Sequence, residues 1–352
     1  FALSSGTFNC ASSDDTYFTG VFNVTGGTFE ANSGTANFMT NSSTAVDVTS
    51  ASGVTFDDVI FNRVDVGTST RYIYIRYNMD ISGDLYVKTE NTSTGVLNIR
   101  DSDTTDTPTI TVAGNLSTPA TTASSGDAYL GYSSTYLNVA LEGNLSIDDV
   151  DVQFYTNLDF TGSTDQTLSN SVSWTANYGT GYGAWSGNKA SGVLKPGTSD
   201  FAIPNLVIGT GDDLEIAHNS SYYLYLPVFT QDGGTFTCVS AGNTYFTGNF
   251  NVTGGTFEIN SGTVNFLINA VSDGNIYSAT GITFGDVIFN RTNVATTTRN
   301  FYVRSSIDVG GDLILKNENT SSGLLRISDS DTTDTPTIAV DGDISFPSTV
   351  ST

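Results

Sequence analysis

Lysine and arginine together occur only 12 times in 352 residues, against 36 aspartates and glutamates; histidine occurs once and cysteine twice. The resulting formal charge of −24 excludes nucleic acid as a natural partner, because affinity for phosphate backbones comes from clustered Lys and Arg releasing counterions. No basic run exists, and anionic membrane surfaces are disfavoured on the same ground. No stretch approaches 18 consecutive apolar residues, so no helix spans a bilayer. No window of 12 or more residues carries an apolar face at i, i+3, i+4, and the density of Gly and Thr opposes helix. The sequence opens at Phe1 without methionine or signal peptide, as a mature or clipped product would.

What is abundant is small and polar. Serine (41), threonine (53), asparagine (30) and glycine (36) dominate the composition. With 38% hydrophobic residues, 17 Tyr and 21 Phe, the chain still has enough apolar surface to fold. Few Lys and Cys with many Ser, Thr and Asn predict an extracellular protein, at a cell surface or in a secreted filament.

The chain repeats itself. Residues 6–117 align without a gap to residues 234–345, an offset of 228, with about 60% of positions identical, among them the unbroken DSDTTDTPTI at 101–110 and 329–338. The sequence thus divides into 1–124, the first part of a 228-residue unit; 125–228, the remainder of the unit with an aromatic, Gly-rich insertion; and 229–352, the second copy of the first part. A recent tandem duplication of this kind predicts a repeat architecture and a longer array.

A finer period lies inside the unit. Apolar and polar residues alternate in short runs bounded by Gly, as in Thr28-Phe29-Glu30 and Val54-Thr55-Phe56, which is a strand signal. The markers Gly83-Asp84-Leu85, Gly114-Asn115-Leu116 and Gly143-Asn144-Leu145 recur at 31 and 29 residues, and Gly311-Asp312-Leu313 is followed after 31 by Gly342-Asp343-Ile344. The fold predicted is all-β, a parallel β-solenoid (β-helix) built from tandem repeats, with three short strands per coil of roughly 20 to 30 residues. A β-sandwich array is the rival, though its domains of roughly 100 residues fit the tight Gly spacing less well.

Candidates for chemistry are few. His218 is the only histidine, and no GxSxG elbow surrounds a nucleophile, so no catalytic residue is assigned and an enzyme is not expected. Asp101, Asp103 and Asp106, with their twins Asp329, Asp331 and Asp334, place three carboxylates in six residues, a set able to converge on Ca²⁺. The spacing is not that of an EF-hand, and an Asp and Thr turn is the other reading; no other cofactor is expected. Arg63, Arg71, Arg76 and Lys88 recur in register as Arg291, Arg299, Arg304 and Lys316. In Tyr72-Ile73-Tyr74-Ile75-Arg76 the period of two points Ile73 and Ile75 inward and Tyr74 and Arg76 outward, and Tyr302 with Arg304 repeat this. Outward Tyr and Arg are either interface anchors or a cross-strand ladder with local Asp partners.

Cys10 and Cys238 are equivalent positions in the two copies, too far apart along a solenoid for a bond within the chain. They are either buried free thiols or links between chains. Nine Asn-x-Ser/Thr sequons are about the number chance gives at this composition. The stretch 171–187 holds both tryptophans, Trp174 and Trp185, and reads either as a loop folded over the core or as a platform for a sugar or a neighbouring chain.

The phrases TFDDVIFN (55–62), ITFGDVIFN (282–290) and GDLYV (83–87) resemble the secreted β-strand-repeat surface proteins of bacteria and archaea, in the style of filamentous-haemagglutinin-like adhesins. The resemblance implies an extracellular solenoid working as fibre, stalk or adhesin, partnered by itself as a homopolymer or longer array, and by surface glycans. The alternative is a carbohydrate-binding or carbohydrate-active β-helix.

Overall fold

The computed structural model describes residues 1–10, 15–30, 34–41, 45–49, 54–64, 67–90, 95–101, 107–120, 127–132, 137–148, 152–170, 183–187, 189, 191–197, 200–217, 222–239, 243–259, 262–268, 273–277, 282–292, 298–318, 323–329 and 335–347. Every element among them is a β-strand, and every strand pairing is parallel, as the Gly-bounded alternation predicts. The chain forms two compact units, residues 1–185 with 189–192 and residues 186–188 with 193–352. Each is a stack of parallel β-solenoid coils.

In the first unit each coil lays down three strands. One row runs Phe22–Val24, Val46–Thr49, Arg71–Ile75, Leu97–Arg100, Ala128–Leu130 and Val152–Phe154, each strand paired with the next. A second runs Thr55–Phe56, Met79–Ile81, Thr109–Val112, Asn138–Leu141 and Asn157–Phe160. A third runs Thr35–Thr40, Asp58–Arg63, Leu85–Thr89, Leu116–Thr118, Leu145–Ile147 and Gln166–Asn170. One turn takes from 19 residues (Asn138 to Asn157) to 31 (Met79 to Ile110). The spread is absorbed by the connections, so the strands stay in register.

Parallel in-register pairing sets like upon like, and this builds the core. Leu85, Leu116, Leu145 and Leu168 form one fully buried column. Phe18, Phe38 and Phe61 form another, with ring centroids 5.3 and 5.9 Å apart. Trp185 is fully buried in the first unit, its ring 5.6 Å from Phe154 and 6.0 Å from Phe160, so this end of the aromatic stretch belongs to the core; Trp174 lies outside the described residues.

The second unit repeats the plan. Phe229 stacks on Phe250 at 5.4 Å, Phe236 on Phe257 at 5.6 Å and Phe266 on Phe289 at 5.2 Å. Two of its strands, Tyr223–Gln231 and Asn243–Val252, are long enough to bend round a corner, and their register slips between Leu226 and Val228. Pro227, which has no N–H to donate, sits at that irregularity, where a missing ladder bond costs least.

Glycine is required where coils approach each other at the corners. A Cβ on Gly114 would overlap the carbonyl of Gly83, and one on Gly143 the carbonyl of Gly114. Gly27 combines such a close approach, to Gly6, with a φ of 82°. Gly143→Ala should therefore destabilise the protein by about 1–3 kcal/mol, the usual cost of overpacking. Gly20→Ala, at a position with nothing within 4 Å, should stay within about 0.5 kcal/mol of the parent. Denaturant unfolding of the two variants checks this, and equal effects would refute the close-approach account.

Candidate functional site

The recurring Gly-Asp/Asn-Leu marker is a hydrogen-bonded corner ladder. In the first unit Asp58 Oδ1 accepts the backbone N–H of Asp84 at 2.7 Å, and Asp84 Oδ1 accepts that of Asn115 at 2.6 Å. Asn115 Oδ1 accepts both the N–H and the Nδ2 of Asn144 at 2.9 Å, and Asn144 Oδ1 accepts the N–H of Thr167 at 2.7 Å. In the second unit Asp286 Oδ1 takes the N–H of Asp312 at 2.8 Å, and Asp312 Oδ1 that of Asp343 at 2.9 Å. Each rung satisfies a corner N–H that points at the neighbouring coil, which is why the marker keeps an Asx acceptor beside an obligatory glycine.

The tyrosine and arginine positions lie on the outward side of the first strand row. Ile73 and Ile75 are fully buried, while Tyr74 and Arg76 are half-buried on the opposite side. Arg76 Nη2 donates to Asp47 Oδ1 at 2.7 Å, and Nε to the same oxygen at 3.2 Å. Tyr72 and Tyr74 hold their rings parallel at 5.6 Å, and the Arg100 guanidinium lies 4.6 Å from Tyr72, 5.5 Å from Tyr74 and 5.2 Å from Tyr132. Arg100 is a member the sequence reading missed, because it comes from the next coil. In the second unit Phe301 and Val303 are buried beneath Tyr302 and Arg304. Arg304 Nη2 donates to Asn275 Oδ1 at 3.0 Å and its guanidinium lies over Tyr277 and Tyr302 at 5.8 and 5.4 Å. Asn275 is the counterpart of Asp47, so an ion pair in one copy is a hydrogen bond from the guanidinium to a neutral amide in the other.

Three other basic side chains are buried, and sequence reasoning had assigned them no place. Arg63 and its twin Arg291 are fully buried; Arg63 donates to the Gly67 carbonyl and lies against Gly95, where a Cβ would strike the guanidinium. Burial, and secondarily the nearby Arg299, pulls the Arg291 pKa down. Lys189 is 4% exposed and donates to the carbonyls of Gly162 (2.7 Å) and Thr164 (3.0 Å) and to Gln166 Oε1 (2.6 Å). Burial lowers its pKa against the opposing pull of Asp165. All three ammonium donors are used, as a buried Lys requires.

Of the carboxylates proposed for calcium, Asp101 is buried and Asp329 half-buried, while Asp103, Asp106, Asp331 and Asp334 lie outside the described residues, as does His218. No group of three or more His, Cys, Asp or Glu suited to a metal occurs among the described residues. Cys10 is half-buried and Cys238 buried, with the Cys238 sulfur 3.3 Å from Thr244 Oγ1. The second unit also has a pocket of about 270 Å³, with Phe257 and Phe284 in its wall and Glu258 and Thr283 at its rim.

No family model, curated protein or solved structure matches the chain.

Two expected outcomes follow from these groups. Lys88, 2.8 Å from Glu90, holds the Glu90 carboxyl below the usual carboxylate range, helped by Asn62 and opposed by burial. A lowered folded pKa gives a contribution that is complete above the ordinary carboxylate value and lost as pH falls through the folded one. Burial raises the hydroxyls of Tyr86, Tyr155 and Tyr245 above the ordinary value of 10.0, so their contribution is complete below it and lost as pH climbs through the raised values. Thermal melts across pH should decline on both limbs, with Lys88→Met flattening the acid one and Tyr155→Phe the alkaline one. As for calcium, chelator should shift the melting temperature little. A large fall, reversed by Ca²⁺ and abolished by Asp103→Ala with Asp331→Ala, would instead assign a metal to the cluster.

Proposed function

We propose that the protein is an extracellular structural or adhesive β-solenoid that forms or extends a surface filament. The observation that carries the reading is the in-register duplication, because its two copies repeat the same strands, the same corner ladder and the outward pair Tyr74 and Arg76 as Tyr302 and Arg304. Repetition of this kind adds length without adding new chemistry, and each coil of such an architecture contacts only its neighbours. Composition and resemblance support placing it outside the cell, and the partner is further material of its own kind. Catalysis is not part of this reading.

A carbohydrate-binding or carbohydrate-active β-helix is the second reading, favoured by the pocket walled by Phe257 and Phe284 with a carboxylate and a hydroxyl at its rim. Electron microscopy of the native material separates the two. Filaments with a regular axial repeat are expected; monodisperse particles that release reducing ends from polysaccharide would overturn the structural role.

A further inference from the structure

Arg100 differs from the other outward basic residues of its unit in having no anion to hold. Arg76 is paired with Asp47 and Lys88 with Glu90. Arg100 is half-buried and has no carboxylate within ion-pair distance among the described residues, in a chain that carries 36 acidic side chains. Its Nε is buried without a hydrogen-bond partner, and its Nη2 reaches only the Tyr74 hydroxyl, at 3.5 Å. The guanidinium carbon lies 4.6, 5.5 and 5.2 Å from the ring centroids of Tyr72, Tyr74 and Tyr132. Those rings offset part of the cost of taking a cation out of water, but they leave its planar fork of N–H donors without an oxygen acceptor.

Coil stacking does not require this cluster. The second copy has Ser328 at the place of Arg100 and Asn300 at the place of Tyr72, yet Tyr302 pairs with Ser328 in the same register as Tyr74 with Arg100. The aromatic row also continues onto the next coils of the first unit. Tyr129 follows Tyr72 and Asn98 in register, its ring is 5.6 Å from that of Tyr155, and Tyr132 is 39% exposed.

We infer that this face binds an acidic sugar, with Arg100 taking the carboxylate of a uronic acid unit and the tyrosines taking its ring and hydroxyls. A carboxylate answers a guanidinium two donors at a time, which no group now beside Arg100 does. Aromatic walls with a few placed polar groups are the ordinary lining of a small-ligand site. One free cation among half-exposed rings offers far less area than the roughly 800 Å² per partner of a stable protein interface, which favours a saccharide over a protein. Two chains of charge −24 also repel each other at a distance more strongly than either repels a short oligosaccharide. The inference rests on the adhesive form of the function proposed above and names its ligand class.

The test titrates the full 352-residue chain with a galacturonate hexamer at low salt, using the methyl-esterified hexamer as the neutral probe. Saturable binding of the free acid is expected, with the ester about tenfold weaker or more. Arg100→Ser copies the residue at 328, so the stack accepts it, and it should weaken binding about tenfold. Tyr72→Asn copies the residue at 300 and should cost about threefold. Lys88→Met removes a positive charge from another strand row and should bind as the parent does, which separates the site from bulk charge. Equal binding of the two probes, no saturable binding, or parental affinity in Arg100→Ser overturns the inference. Self-association of the parent that Arg100→Ser abolishes would overturn it too, because a second copy would then occupy the site. Filaments in the native material with a silent acid probe would remove the sugar site and leave the structural role standing, whereas a bound probe on monodisperse particles would do the reverse.

Discussion

Everything in this fold depends on coils stacking in register, so that each residue lies about 4.8 Å from the equivalent residue of the next coil. Such stacking accepts only residues that tolerate their own kind as neighbours. Leucine and phenylalanine do so by burial, hence the Leu85, Leu116, Leu145 and Leu168 column and the Phe18, Phe38 and Phe61 column. Glycine does so at corners because a Cβ would meet the carbonyl of the coil beneath. Asparagine does so by donating and accepting at once, as Asn144 does on Asn115 and Asn275 on Asn249. A composition rich in Gly, Asn, Ser and Thr and poor in charge is what this constraint selects.

Charge is the residue class that the constraint handles worst, since like charges stacked at this spacing repel. The chain meets the difficulty in three ways. Aspartates at the corners give an oxygen to a backbone N–H, so Asp58 and Asp84 sit in successive coils as links of one ladder. The arginines on the outward face alternate with tyrosines and amides, so that Arg100 lies among Tyr72, Tyr74 and Tyr132 and Arg304 between Tyr277 and Tyr302. The basic side chains that leave the surface altogether, such as Lys189, take neutral carbonyl and amide acceptors and a lowered pKa in exchange.

Fold class was legible because the constraint writes itself into spacing. Thr55–Phe56 and Thr28–Glu30 are strands where the alternation placed them, and the Gly-Asp/Asn-Leu markers at 83–85, 114–116 and 143–145 fall in successive coils of one strand row. The marker's function as a ladder was not legible, because the bond joins Asp84 to Asn115 across 31 residues and only stacking brings them together. An Asp partner for the Tyr72 to Arg76 stripe was one of the two readings open, but that it is Asp47, and that Arg100 joins the stripe, emerges only from stacking. Arg63 falls on the inward phase of its strand with Val59 and Phe61, but the Gly67 carbonyl that it meets and the room left by Gly95 are brought to it only by the fold.

Recurrence of the basic residues in both copies has an internal explanation. Arg63 and Arg291 are interior, Lys88 pairs with Glu90, and Arg76 and Arg304 lie over tyrosines on their own face. Each would be retained by the stacking itself without any external partner. The copies nevertheless differ at an outward position whose surroundings stay the same. Asp47 against Asn275 changes the charge beside an unchanged Arg and Tyr pair. The two copies thus keep one core while the chemistry of the outward side changes from one to the other.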